Sequence, residues 1–270
     1  MFVNKINNKI LLIIIVLLPL NNILINYLFT IGFFQPINAI THGVINATLV
    51  ANGFSVLIFS LIIIVLGKNN WPSMWIDMEK LKFAFILIFI IWFISQLSMF
   101  AYTLYHNQEI LFIDNITIKV GNILAQLLGN SLFEEMIYRG VFFIQIYLVL
   151  ISKFSERISI CCAILISSIL FAINHIPHRL MVYEVDNLFI DISGLIFVGI
   201  LITIIFIKTE NLAFVIGFHA LMNEPFNIIK VDFSPDIIIF GLTVISVLSW
   251  HKIKASNRNY LLPKKSNSHP

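Results

Sequence analysis

Six side chains in this sequence have the types and spacing for acid–base chemistry, and they stand where a hydrocarbon-compatible chain has little place for them. SLFEEMIYRG, Ser131 to Gly140, carries Glu134, Glu135 and Arg139. SSILFAINHIP carries Phe171 and His175, and IGFHALMNEP carries His219 and Asn223. An ionised residue at the centre of a membrane helix costs about 2.5–3.5 kcal/mol on insertion scales, so two glutamates and an arginine facing lipid would cost roughly 8–10 kcal/mol. They must face one another or a polar cavity. Glu135 and Arg139 are four residues apart with the acid on the N-terminal side, the favourable order for a pair on one helix face. Glu134 lies about 100° around the helix and five residues from the arginine, a poorer spacing. One carboxylate is thereby neutralised, and the other is left in a position to act as a general base.

His219 and Asn223 are again four apart, so both point from one helix face towards the same place. Taken alone they read as an interhelical hydrogen-bonding pair worth about 0.6–2 kcal/mol. His175 alone reads as an interfacial residue, and the Glu–Glu–Arg set as a buried polar anchor. Together, a base, two imidazoles, an amide and an arginine make up the inventory that activates water and stabilises an oxyanion in amide hydrolysis. The same set could hold a divalent metal such as zinc through Glu134, His175 and His219, although no two ligands have the local spacing that identifies such a site.

The elements that must position these groups follow from composition. Of 270 residues, 59% are apolar and 11% charged, against about 25% charged in soluble domains. The fold class is all-α, a polytopic membrane bundle of about eight transmembrane helices, each needing about 20 apolar residues. The apolar runs fall near residues 10–34, 46–66, 83–105, 120–152, 158–176, 188–207, 211–229 and 237–252. Residues 1–117 form the N-terminal helices, 118–230 a core carrying the polar motifs, 231–252 the last span and 253–270 a polar tail. The basic start MFVNKINNK followed by ILLIIIVLLPL resembles a signal peptide, but NNILIN follows where a small-residue cleavage site would stand, so the first span is read as retained.

Of the 17 Lys and Arg residues, Arg139 lies within a span and only Lys119, Arg179 and Lys230 fall on the far side of a bundle whose N-terminus is inside. The other 13 fall inside, which places both termini in the cytoplasm. Cys161 and Cys162 are adjacent in an apolar run and read as small hydrophobes rather than as a staple. No basic run interleaved with aromatics suggests nucleic acid. No glycine-rich phosphate loop or HExxH is present. The absence of an internal repeat argues against a transporter built from inverted repeats.

Three motifs, EExxxR at Glu134, Glu135 and Arg139, FxxxH at Phe171 and His175, and HxxxN at His219 and Asn223, lie in separate spans in this order. Over residues 118–230 the chain resembles the CPBP family, the CAAX proteases and bacteriocin-processing enzymes also called Abi. The resemblance implies an intramembrane endopeptidase in which Glu134, helped by His175, activates water, His219 and Asn223 polarise the scissile carbonyl, and Glu135 with Arg139 support them. It leaves open a metal-dependent or a glutamate-only mechanism. Tyr138 stands before the arginine where the family commonly has Phe. The Ile- and Asn-rich composition resembles bacterial members, which implies a bacterial cell membrane and a hydrophobic peptide or membrane-protein substrate, with CAAX specificity not carried over. A bacteriocin-immunity or regulatory protein of the same fold is the alternative, and oligomeric state is not encoded in these motifs.

Overall fold

A computed structural model describes residues 5–68, 77–182 and 187–250. Among them the apolar runs fold as eight rods joined by short connections. These are α1 (Asn8–Thr30), α3 (Ala47–Leu66), α4 (Met78–Tyr105), α5 (residues 116–150), α6 (Glu156–Asn174), α8 (Leu188–Thr209), α9 (Leu212–Asn223) and α10 (Asp236–Leu248). Two short helices, α2 (Gln35–Ile40) and α7 (Ile176–Val182), sit at rod ends, and β1 (Leu111–Phe112) pairs antiparallel with β2 (Ile229–Lys230). By length and composition, α1, α3, α4, the joined α6–α7 and α8 can each cross a membrane. The chain is a polytopic helical membrane protein. The polar tail at 253–270, and the basic residues counted in it, lie outside the described residues.

Rod starts are written into the sequence as side-chain caps. The first N–H groups of a helix have no partner within it, and in hydrocarbon they find no water either. Asn7, Asn46, Asp77, Asn187 and Asn211 each accept a hydrogen bond from an N–H two or three residues on. Such a cap contributes about 1 kcal/mol.

Two rods depart from a simple span. α5 is interrupted by wide π-turns at Gln126–Asn130 and Met136–Phe143, which bracket the short α-turn Ser131–Glu135. Such turns commonly accompany functional sites. α9 has only 12 residues, about 18 Å, and every residue from Leu212 to Leu221 is buried. The seventh span expected at 211–229 therefore ends early, at Asn223. Pro225 cannot continue a helix and pushes Glu224 into an extended conformation, φ −144° and ψ 95°.

Beyond Asn223 the chain runs alongside α4. Trp92 Nε1 donates to Phe226 O at 3.1 Å, Gln96 Oε1 accepts from Ile228 N at 3.0 Å, and Ile113 N donates to Ile228 O at 3.1 Å where β1 and β2 meet. At the opposite end of α9, Asn211 Nδ2 donates to Lys80 O at 3.0 Å. Trp92 is twelve residues past Lys80, about 18 Å along α4. Non-helical backbone thus lies beside the middle of α4. Of the adjacent cysteines on α6, Cys161 is exposed and Cys162 half-buried, and both are free thiols.

Gly121 of α5 meets the loop before α3 so closely that an added Cβ would lie 1.9 Å from Gly43 O, whereas at Gly53 it would meet nothing within 4 Å. Gly121→Ala should therefore lower the thermal-unfolding midpoint by several degrees, overpacking costing about 1–3 kcal/mol. Gly53→Ala should leave it unchanged or raised, and equal midpoints for the two variants would contradict this packing.

Candidate active site

The site is built outward from Glu135 and Arg139, whose side chains are 0% and 1% exposed. Arg139 Nη1 donates to Glu135 Oε1 at 3.0 Å, Nη2 to Gly199 O at 3.0 Å and Nε to Thr203 Oγ1 at 3.3 Å. Gly199 permits this because α8 lies against α6 there, an added Cβ falling 3.0 Å from Ser168 Cβ. The guanidinium also covers the Phe171 ring, 4.9 Å from its centroid, and the other contacts of that ring include His175 at 4.6 Å. The i,i+4 spacing of Phe171 and His175 thus ties the imidazole to the arginine through one aromatic ring.

Glu135 does more than neutralise Arg139. Its Oε1 also accepts from His219 Nδ1 at 2.7 Å, a contact sequence spacing gave no sign of. His175 Nδ1 is 2.8 Å from Phe171 O, and since a carbonyl can only accept, Nδ1 carries the proton there. Both imidazoles therefore have Nδ1 committed and turn Nε2 onto Glu134. His175 Nε2 is 3.4 Å from Oε1 and His219 Nε2 is 3.6 Å from Oε2. Glu134 is 12% exposed, at the edge of the packed core rather than inside it.

His175 caps the end of α6, and that end is held by α1. Asn22 Nδ2 donates to Asn174 O at 2.5 Å, and His178 Nδ1 is 2.6 Å from Asn26 Oδ1. The N-terminal rod, which carries none of the motifs, thus fixes the backbone on which His175 stands.

Of the four side chains expected to converge, the structure brings Glu134, His175 and His219 together and leaves Asn223 a helical turn beyond His219. There Asn223 Nδ2 donates to Gln126 Oε1 at 3.0 Å. Gln126 was missed by motif reading, yet the spacing Asn122, Gln126, Asn130, Glu134 is a visible signal, four residues at a time along one face of α5.

Two imidazole Nε2 atoms and a carboxylate are a donor set zinc accepts. Their Nδ1–H groups are oriented by a carbonyl and a carboxylate, as is usual around metal ligands. The distances do not complete the fit: among the described residues, no three His, Cys, Asp or Glu side chains surround a common ion position.

Removing Arg139 would strand a fully buried carboxylate, a loss of about 3–5 kcal/mol. Arg139→Met should therefore yield little folded protein, and Arg139→Met combined with Glu135→Met should recover much of the thermal stability. A single variant as stable as wild type would show that the buried pair does not hold the bundle.

A family model described as Type II CAAX prenyl endopeptidase Rce1-like matches residues 116–224. No curated protein and no solved structure matches the chain significantly. The matched segment begins with α5, ends one residue past Asn223 and contains every motif residue named above. Residues 116–224 are thus similar to the Rce1-like CAAX endopeptidases, a protease family consistent with the CPBP-type motifs they contain.

Proposed function

We propose that the protein is an intramembrane endopeptidase that hydrolyses a peptide bond of a hydrophobic or membrane-associated peptide with water activated at Glu134. The observation that carries this reading is the pair of imidazoles whose committed Nδ1 atoms leave both Nε2 atoms facing the two oxygens of one carboxylate. Glu134 takes a proton from water as its oxygen bonds to the scissile carbonyl carbon, and the C=O electron pair moves onto oxygen. His219 and the second N–H of the Asn223 amide lie on the helix face that would meet this oxyanion. Collapse re-forms the C=O and breaks the C–N bond, and Glu134 returns the proton to the leaving amine. His175, protonated at both ring nitrogens, donates from Nδ1 to Phe171 O and from Nε2 to the Glu134 carboxylate, which keeps that carboxylate in place. No metal is required by this sequence of steps.

A cavity of about 500 Å³ lies between α4, α5 and α9, lined by apolar side chains including Trp92, Leu127, Leu132, Leu221 and Phe226. Its lining suits an apolar substrate residue or a membrane-associated segment. The asymmetry of Lys and Arg supports cytoplasmic termini.

The test compares wild type with Glu134→Gln at matched amounts in vesicles of phosphatidylethanolamine and phosphatidylglycerol, against a quenched fluorescent library of hydrophobic peptides. Cleavage should fall by about 10²–10⁴-fold with the unfolding midpoint unchanged. Equal cleavage by the variant contradicts the assignment, and cleavage by neither points to a binding or regulatory role. Exhaustive chelation should leave the activity in place. Loss on chelation with recovery on adding zinc would overturn the metal-free steps.

A further inference from the structure

The long rod α5 carries amides that the proposed chemistry does not use. Asn122, Gln126 and Asn130 precede Glu134 at four-residue intervals on one face, and each is half-buried rather than buried. Their partners come from both neighbouring rods. Asn46 Nδ2 donates to Asn122 Oδ1 at 3.2 Å and Asn52 Nδ2 to Asn130 Oδ1 at 3.5 Å, both from the α3 side. From the α9 side, Asn223 donates to Gln126, and Glu224 Oε2 accepts from Asn122 Nδ2 at 3.2 Å. An amide side chain has two donor hydrogens and an acceptor with two lone pairs, and Asn122 and Asn130 each use about half of that capacity here. Within a hydrocarbon layer the remainder would be costly, unless water completes it.

The backbone supplies a second, independent sign. α9 stops at Asn223, and residues 224–228 continue as non-helical backbone beside the middle of α4, with Phe226 in the left-handed region at φ 49°. Non-helical backbone at that depth is tolerated only where protein covers it or a water-filled cavity borders it. The amide face of α5 is what Glu224 meets at the start of this segment. One turn further towards β1 and β2, Lys119 Nζ is 3.2 Å from Glu224 Oε1, with Lys119 38% exposed and Glu224 16%.

We infer that the amide face Asn122–Gln126–Asn130, together with the non-helical segment after Asn223, is a hydrated binding path for an extended peptide backbone, leading from the β1–β2 end of the bundle to Glu134 and closed at its mouth by the Lys119–Glu224 ion pair. Side-chain amides match the N–H and C=O groups of a peptide, so the path exchanges water for substrate backbone without leaving either unsatisfied. This placement of the substrate rests on Glu134 as the catalytic base. The hydration and the closure do not.

The test reads water access directly and needs no substrate. In a Cys161→Ser, Cys162→Ser background, single cysteines at Asn122→Cys and Asn130→Cys are exposed to a charged, membrane-impermeant methanethiosulfonate, with the protein in sealed phosphatidylethanolamine–phosphatidylglycerol vesicles. Leu165→Cys, an outward position in the middle of α6, is the lipid-facing control, and Leu111→Cys on β1 marks the side from which the path opens. Asn130→Cys should react at least about tenfold faster than Leu165→Cys, and only from the side that labels Leu111→Cys. Lys119→Met should raise the Asn130→Cys rate at least about threefold by releasing the ion pair. Reaction of Asn130→Cys no faster than Leu165→Cys, or from the other side only, overturns the path. An unchanged rate in Lys119→Met overturns the closure. Thermal unfolding of each variant identifies a rate that reflects misfolding, and Asn122→Cys then decides the same question. Activity surviving in Glu134→Gln would instead remove the base while leaving these labelling results standing.

Discussion

One oxygen, Glu135 Oε1, receives both Arg139 and His219 in a place that water does not reach. Everything else at the site is arranged by that sharing. A carboxylate so buried must be compensated, and the compensation here joins three rods: α5 supplies the acid and the arginine, α9 the histidine, and α8 the Gly199 carbonyl and Thr203 hydroxyl that occupy the rest of the guanidinium. Such networks are unforgiving because removing one member leaves the others unpaired in low dielectric. The consequence for chemistry is orientational. With Nδ1 held by Glu135, the imidazole of His219 can present only Nε2 to Glu134, and Phe171 imposes the same on His175.

The second constraint is the early end of α9. A complete span would have placed helix where the chain instead runs without helix past Trp92 and Gln96. The break keeps Asn223 at the last turn, where its amide reaches Gln126, and puts Glu224 opposite Lys119 and Asn122. Glu134 is consequently approached by a polar face on one side and bounded by apolar packing on the other, the arrangement an amide-cleaving enzyme inside a membrane requires in the proposed reaction.

The rods were legible in the sequence because hydrocarbon selects long apolar runs, and the Asn and Asp residues before them mark their starts. The Glu135–Arg139 pair was legible for the same local reason, since i,i+4 spacing on one helix fixes proximity without tertiary knowledge. What could not be read was set between rods. The contact of Glu135 with His219 spans 84 positions, and the contacts of Arg139 with Gly199 and Thr203 depend on a close approach that only Gly199 hints at. The end of α9 was half visible in Pro225, but apolar character resumes in NII and hides the non-helical stretch. Gln126 was passed over because an amide carries no charge to attract notice, although its spacing from Glu134 placed it on the same face.

The central claim is that Glu134 acts on water and not on the peptide itself. A single turnover in H₂¹⁸O, with enzyme in excess over a cleaved peptide, separates the two. The label should appear in the new C-terminal carboxyl of the product and be absent from Glu134 when the protein is digested and weighed by mass spectrometry. Label in the Glu134 carboxyl would mean that this group attacks the carbonyl directly, and would contradict the account.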